Sequence, residues 1–223
     1  MFELKNIYFS KKFHIELVTY AHFIKWNKDT AFRNSVENMT IADLIHIKKL
    51  GEGQFGHVYL TYYHKTQEYY ALKTISKAQI QEQNLEKHTL QEKAVLQFVN
   101  FPMIMKMYRT FKDNDFVFFL LSFVKGMELF DVIRQIDLLD NEQAQYYIGS
   151  MILAIEYLHS LKIIYRDIKP ENIMIDNHGR LRLIDMGTAK ILKSKTGMSR
   201  TYTILGTPHY MAPEILVGKG YGL

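Results

Sequence analysis

The 223-residue chain has no cysteine, which excludes disulfide stapling and thiolate metal sites and fits a reducing compartment. Long apolar runs are also missing. The greasiest stretch, FVFFLLSFV at 116–124, is too short to cross a bilayer as a helix, and its aromatics and valine read as a buried strand. The opening MFELKNIYFSKKFHIELVTYAHF is peppered with charge and lacks the uninterrupted apolar core and small-residue cleavage site of a secretory leader. The expectation is therefore a cytoplasmic protein with no membrane span. Neither internal repeats nor low-complexity tracts occur. Charge of one sign is not in large excess either. The 28 basic and 23 acidic residues are mostly interspersed and sum to +5, a weak electrostatic case for nucleic acid that leaves acidic small molecules, nucleotides included, open.

What is present is enough hydrophobic sequence, 48%, to bury a real core in one medium domain or two small lobes. Residues 1 to about 40 carry mixed periodicity: Phe13, Leu17, Tyr20 and Ile24 suit a helix face, while Phe13, Ile15 and Leu17 also suit a strand. From about 44 to 74, β-branched and aromatic residues alternate between turn signals, predicting three strands. Residues 84–98 read as a helix, with Leu85, Leu90, Val95 and Leu96 among charges. Two more strands are expected near 104–111 and 116–122. Beyond FVKGMELF the character turns helical, most clearly at 141–160, where Ile148, Met151, Ile152, Ile155 and His159 recur at helical spacing. This helix is apolar nearly all round, so it calls for partners on several sides.

Five stretches carry chemistry. LGEGQFGHV places Gly51, Gly53 and Gly56 in a G-x-G-x-x-G pattern followed by Val58. A dinucleotide fold needs a helix to begin there, but HVYLTYY continues as strand, so the loop joins two antiparallel strands; no G-K-[ST] follows, which rules out a Walker loop. The glycines let backbone N–H groups approach phosphate oxygens, although a plain hairpin turn also accounts for them when taken alone. In YYALKTI, Ala71 and Lys73 share one strand face. A lysine on so buried a strand needs a counter-charge, and Glu92 on the next helix is the natural partner. In IIYRDIKPEN a proline breaks any ordinary amphipathic helix, and Asp167, Lys169 and Asn172 crowd one short loop. LRLIDMGTAK then sets Asp185 thirteen residues after Asn172, and together they offer oxygen ligands to a hard divalent ion. As isolated residues, Asp167 and Asp185 are equally good turn formers. The fifth stretch, RTYTILGTPHYMAPEI, ends in Ala-Pro-Glu.

Taken in order, these elements resemble a eukaryotic protein kinase from about residue 44 onward. Lys169 two positions after Asp167 resembles Ser/Thr kinases, and YRD resembles the AGC group. EKHTLQEKAVLQFVNFPMIMKMYRTFKDND and TYTILGTPHYMAPEI are most similar to cyclic-nucleotide-dependent kinases, the cGMP-dependent type first. The resemblance implies an α+β, bilobal fold with a small β-rich N-lobe at about 44–123, a partial helical C-lobe at about 124–223, and an extension of unknown role at 1–43.

It also implies roles. The backbone of Gly51, Gly53 and Gly56 would cover the phosphates of ATP, and Lys73, held by Glu92, would contact them. Val58, Ala71 and Met174 would sandwich adenine, with Leu121, Phe123 and Val124 at its edge and Glu128 at the ribose or a basic substrate side chain. Asn172 and Asp185 would hold Mg²⁺, Asp167 would take the proton of a Ser or Thr hydroxyl, and Lys169 would steady the moving phosphoryl group, with Thr207 bracing both. Thr203 matches an activation-loop phosphosite, for which an upstream kinase is the implied partner, and Arg166, His88 and Lys190 would meet its phosphate. Glu128 and Glu171 imply protein or peptide substrates with basic residues upstream. The partners implied include neither nucleic acid nor a membrane.

Departures from the pattern are Met186 in place of the D-F-G phenylalanine, His209 in place of a glutamate, and a longer loop between Asp185 and Thr203. Methionine packs flexibly enough to keep the hydrophobic support. The sequence given stops at ILVGKGYGL, where the family continues with further helices that cover the 141–160 helix and pair Glu214. The expectation from that end is an incomplete C-lobe, and with it a second possible function: a non-catalytic nucleotide-binding or interaction fragment.

Overall fold

The computed structural model describes residues 30–53, 56–192 and 200–223. The helix-or-strand question at Phe13–Ile24 and residues 193–199 of the loop between Asp185 and Thr203 lie outside the described residues. The elements make an α+β fold that divides into two compact units.

The first unit holds the described residues up to Lys87 together with Met105–Phe123. Its sheet is built from β1 (Ile45–Gly53), β2 (Gly56–Tyr63), β3 (Glu68–Ser76), β4 (Met107–Lys112) and β5 (Phe116–Ser122), antiparallel throughout in the order β1-β2-β3-β5-β4. The three strands expected at 44–74 are present, and the fourth begins at Met107. The β4–β5 turn is set by Asp113, whose carboxylate accepts from the N–H groups of Asp115 (2.8 Å) and Phe116 (2.6 Å).

Side chains alternate across a strand, so Tyr70 and Leu72 of β3 face one way and Ala71 and Lys73 the other. The first face buries Tyr63, Tyr70, Leu72, Phe118 and Leu120 against Val36, Met39 and Leu44. Val36 belongs to helix α1 (Thr30–Glu37), so this core reaches upstream of residue 44. Helix ends leave carbonyls without intrahelical partners. Here Arg109 Nη1 donates to the Val36 carbonyl (3.2 Å) and Tyr63 Oη to that of Ser35 (3.4 Å). A short helix, α2 (Lys77–Glu82), follows β3 with Ser76 as its cap.

The second unit comprises His88–Ile104 and Val124–Leu223, the division falling in the first turn of α3 (Glu86–Phe98). It contains β6 (Gly126–Glu128), α4 (Leu129–Ile136), α5 (Asn141–Ser160), β7 (Ile163–Ile164), β8 (Ile173–Asp176), β9 (Leu181–Leu183), β10 (Lys190–Ile191) and α6 (Pro213–Leu216). The short strands form a three-stranded sheet, β6-β8-β9, and a pair, β10-β7. Helix α5 starts at a reciprocal cap, Asp140 Oδ1 accepting from Gln143 N (2.8 Å) and Gln143 Oε1 from Asp140 N (3.1 Å).

Helix α5 buries Tyr147, Ser150, Ala154 and Leu158. Its composition calls for partners on several sides, but among the described residues one side is left uncovered. Ile148 and Ile152 are 60% and 61% exposed, and with Met151, Ile155, Ile168 and Tyr210 they line an apolar groove of about 800 Å³.

Met39 is 0% exposed and lies between α1 and β1, so Met39→Ala leaves a cavity that the sheet closes only in part. The expected cost is about 2–5 kcal/mol, read as a lower urea midpoint. An unchanged midpoint would remove residues 36–44 from the core.

Candidate active site

In the first unit, the β1–β2 hairpin carries the glycine pattern, with Gly53 opposite Gly56 and Gly51 opposite Val58. Gly56 sits so close to β3 that an added Cβ would lie 1.8 Å from the Thr74 carbonyl oxygen, whereas beside Gly51 there is open space. The same register puts Val58 opposite Lys73 and Ala71 opposite Leu121, so four of the expected nucleotide contacts occupy alternate rungs of β2, β3 and β5. Phe123 follows β5 as the last residue of this unit.

The other expected residues belong to the second unit. Glu92 is buried on α3, and Val124 leads into β6, which ends at Glu128. Glu128 pairs across the β6–β8 ladder with Met174. Burial, then the charges of Asp131 and Glu171, raises the Glu128 carboxyl above its ordinary value. Among the described residues, one buried carboxylate oxygen of Glu171 has no hydrogen-bond partner.

The densest cluster lies on the loop between β7 and β8. Asp167 is 7% exposed, and each of its carboxylate oxygens has two close polar neighbours. Oδ1 accepts from the Thr207 N–H (2.9 Å) and the Thr207 hydroxyl (2.7 Å). Oδ2 accepts from Asn172 Nδ2 (2.9 Å) and lies 3.1 Å from the Lys169 ammonium. Lys169 also donates to Thr207 Oγ1 (2.9 Å), and Asn172 Nδ2 to the Asp167 carbonyl (2.8 Å).

Burial alone raises the Asp167 pKa, but the bonds from Thr207, Lys169 and Asn172, with the Lys169 charge, outweigh it and hold the carboxyl below its ordinary 3.8. A carboxyl depressed in the folded state adds stability above its unfolded pKa of about 3.9, and loses it as pH falls through the lower folded value.

Asn172 and Asp185 are linked through the backbone, the Ile184 N–H donating to the Asn172 carbonyl (3.0 Å). Asp185 Oδ1 accepts from the Gly187 N–H (2.9 Å). With the Asn172 amide nitrogen committed to Asp167, its oxygen and the Asp185 carboxylate make a hard-oxygen donor pair, which fits Mg²⁺. Among the described residues, no group of three or more His, Cys, Asp or Glu side chains gathers as an all-protein metal cage. A pair of donors suits an ion that shares its remaining positions with phosphate and water.

Thr203 is exposed, while Lys190 Nζ donates to the neighbouring Thr201 Oγ1 (2.9 Å), which lies 3.5 Å from Thr203 Oγ1. Arg166 donates through Nε to the Thr188 carbonyl (2.6 Å), and its buried Nη1 has no partner among the described residues. Thr188 was not legible beforehand: its hydroxyl donates to the Tyr165 carbonyl (2.9 Å), a bond that leaves no local spacing signal. Gln91 is a second such residue, its amide donating to the Ala189 carbonyl (2.7 Å). His88 is exposed on α3. Met186 is fully buried in the place of the D-F-G phenylalanine, and His209 is exposed.

A glycine-turned hairpin on a five-stranded sheet, and a loop joining Asp, Lys and Asn to a downstream Gly-Thr-Pro, are features of phosphotransferase domains. The chain matches the family described as protein kinase domain over residues 44–223, and it belongs to the protein kinase family. It is 46% identical to a cGMP-dependent protein kinase of Plasmodium berghei (strain Anka) over 182 residues, 82% of this chain and 21% of that protein. To the cGMP-dependent protein kinase of Eimeria tenella it is 45% identical, over 81% of this chain and 18% of that one. To the cAMP-dependent protein kinase catalytic subunit of Arthrobotrys oligospora it is 37% identical, over 86% of this chain and 36% of that one. Its likeness is thus to the cyclic-nucleotide-dependent branch of the AGC group, and it spans about a fifth of the length of the cGMP-dependent relatives. No helix among the described residues is long and apolar enough to cross a membrane.

Gly206 positions Thr207. It has φ +126°, and an added Cβ would lie 2.5 Å from the Arg166 carbonyl oxygen. Gly206→Ala is expected to cost about 1–3 kcal/mol in a denaturant titration. Gly149→Ala, in α5 with nothing within 4 Å of the new Cβ, is expected to stabilise by about 0.5–1 kcal/mol instead. Equal effects from the two would mean that the Gly206 turn is not what holds Thr207.

Proposed function

We propose that this chain transfers the γ-phosphoryl group of ATP, with Mg²⁺, to Ser or Thr hydroxyls of protein substrates. The observation that carries the reading is the buried Asp167 carboxylate, kept ionised and fixed in direction by Thr207, Asn172 and Lys169. Such a carboxylate can accept a hydrogen bond from an incoming alcohol, aim its oxygen, and take its proton as the new P–O bond forms and ADP leaves. Lys169 bridges Asp167 and Thr207 and so holds a positive charge beside the reacting oxygens.

Mg²⁺ bound by Asn172 and Asp185 would supply charge neutralisation for the phosphates. Lys73 on β3 is assigned to the α- and β-phosphates with Glu92 as its counter-ion. The backbone of Gly51, Gly53 and Gly56 is assigned to covering the phosphates. Val58, Ala71 and Met174 are assigned to the adenine faces, Leu121, Phe123 and Val124 to its edge, and Glu128 to the ribose or a basic substrate side chain. The placing of Val58, Lys73, Ala71 and Leu121 on alternate rungs of the ladder supports the part of this set that lies in the sheet.

The acidic group of Glu128, Asp131 and Glu171 supports a preference for substrates with Arg or Lys upstream of the target, since a basic side chain would relieve their mutual repulsion. Thr203 is assigned as a phosphosite for an upstream kinase. Arg166, whose Nη1 has no partner among the described residues, and the nearby Lys190 are assigned as cations for its phosphate, with His88 as a third. The cytoplasm, where ATP is plentiful, is the location that goes with this chemistry. The second function, a nucleotide-binding or interaction fragment without transfer, is favoured by one observation: the exposed Ile148 and Ile152 of α5.

A radiolabel transfer assay on a basic Ser peptide separates the two. Wild type is expected to transfer, and Asp167→Asn to be slower by about 10²–10⁴ while retaining nucleotide-dependent thermal stabilisation. Thr203→Ala is expected to be slower than wild type. Stabilisation by nucleotide with no transfer by wild type would favour the fragment, and transfer by Asp167→Asn at the wild-type rate would end the assignment of Asp167.

A further inference from the structure

The stretch around Thr203 is held from outside by residues just beyond α6. Thr201 and Tyr221 form an isolated antiparallel bridge, the Thr201 N–H donating to the Tyr221 carbonyl (2.8 Å) and the Tyr221 N–H to the Thr201 carbonyl (2.9 Å). The Tyr221 hydroxyl reaches two residues further and donates to the Thr203 carbonyl (2.6 Å). Gly220 makes the approach possible. At φ +75° it lies against the Tyr202 ring, where a Cβ would come within 2.5 Å of Cε1. The path from α6 is fixed as well, Gly218 N donating to the Ile215 carbonyl (3.1 Å) and Lys219 N to that of Glu214 (3.2 Å).

The consequence for the three adjacent hydroxyls is unequal. Thr201 is 2% exposed, its hydroxyl accepting from Lys190 and donating to Thr203 Oγ1 (3.5 Å), whereas the Thr203 and Tyr202 side chains are exposed. We propose that Gly218–Tyr221 is a latch that holds the segment 201–203 in register, covering Thr201 and leaving Thr203 as the threonine open to modification. The part of this concerning Thr203 rests on reading that residue as the phosphosite. With the latch closed, the segment is ordered before any phosphate arrives, so the phosphate adds contacts to a conformation already paired at the backbone. With the latch open, Thr201 becomes a competing acceptor.

Hydrogen exchange on the full chain tests the latch without relying on activity. The Thr201 and Tyr221 amides are expected to exchange at least about tenfold more slowly than in a free chain. In Gly220→Ala both are expected to lose that protection together, while the amides of β8 and β9 keep theirs. Tyr221→Phe, which removes only the phenol bond, is expected to raise both rates by a smaller factor, and it decides the matter should Gly220→Ala not fold. Wild-type amides exchanging at free-chain rates would overturn the latch, as would undiminished protection in whichever of these variants decides. Thr203→Ala keeps the carbonyl that Tyr221 uses and should keep the protection. An active Thr203→Ala with protected amides would therefore remove the phosphosite reading and leave the latch standing, whereas unprotected amides with an inactive Thr203→Ala would do the reverse.

Discussion

A charge shut away from water must be matched on the spot, and the buried carboxylate of Asp167 sets that demand here. Its oxygens take hydrogen bonds from Thr207 and Asn172 and the charge of Lys169. Thr207 is forty residues away in the chain, so meeting the demand ties the loop after β7 to the Gly-Thr-Pro turn. Gly206 lets that turn pass the Arg166 carbonyl, and Arg166 in turn grips the Thr188 carbonyl just past Asp185. Three separate stretches of chain are held in place around one ionised group.

The sheet unit is organised by a different requirement, the pleat. With Tyr70 and Leu72 committed to the core beside Val36 and Met39, period two leaves Ala71 and Lys73 on the opposite face, and the register adds Val58 and Leu121 beside them. The hydrophobic packing that stabilises one face thereby determines which residues the other face presents. Helix α5 presents the reverse situation: one side is packed, and the other lies open along Ile148 and Ile152.

Much of this was legible in the sequence where the signal is local. Alternating β-branched and aromatic residues announced β1 to β3, and helical spacing announced α3 and α5. Asp167, Lys169 and Asn172 are neighbours in the chain, so their clustering on one loop could be read directly. Strands of three or four residues such as β6, β8 and β9 are too short for a period to register. The burial of Val36 and Met39 leaves no signal because two apolar residues in a polar stretch make no pattern. Bonds made by or to backbone across tens of residues, as for Thr188, Gln91 and the Thr201–Tyr221 bridge, have no sequence signature at all.

The claim on which all of this turns is that Asp167 is ionised because its neighbours hold it so. Titrating the carboxyl carbons by NMR, with Asp167→Asn to assign the resonance, measures it directly. The account predicts a midpoint for Asp167 below the ordinary 3.8. A midpoint at or above that value would mean that burial prevails over the bonds from Thr207, Lys169 and Asn172, and the carboxylate could not be the fixed acceptor described.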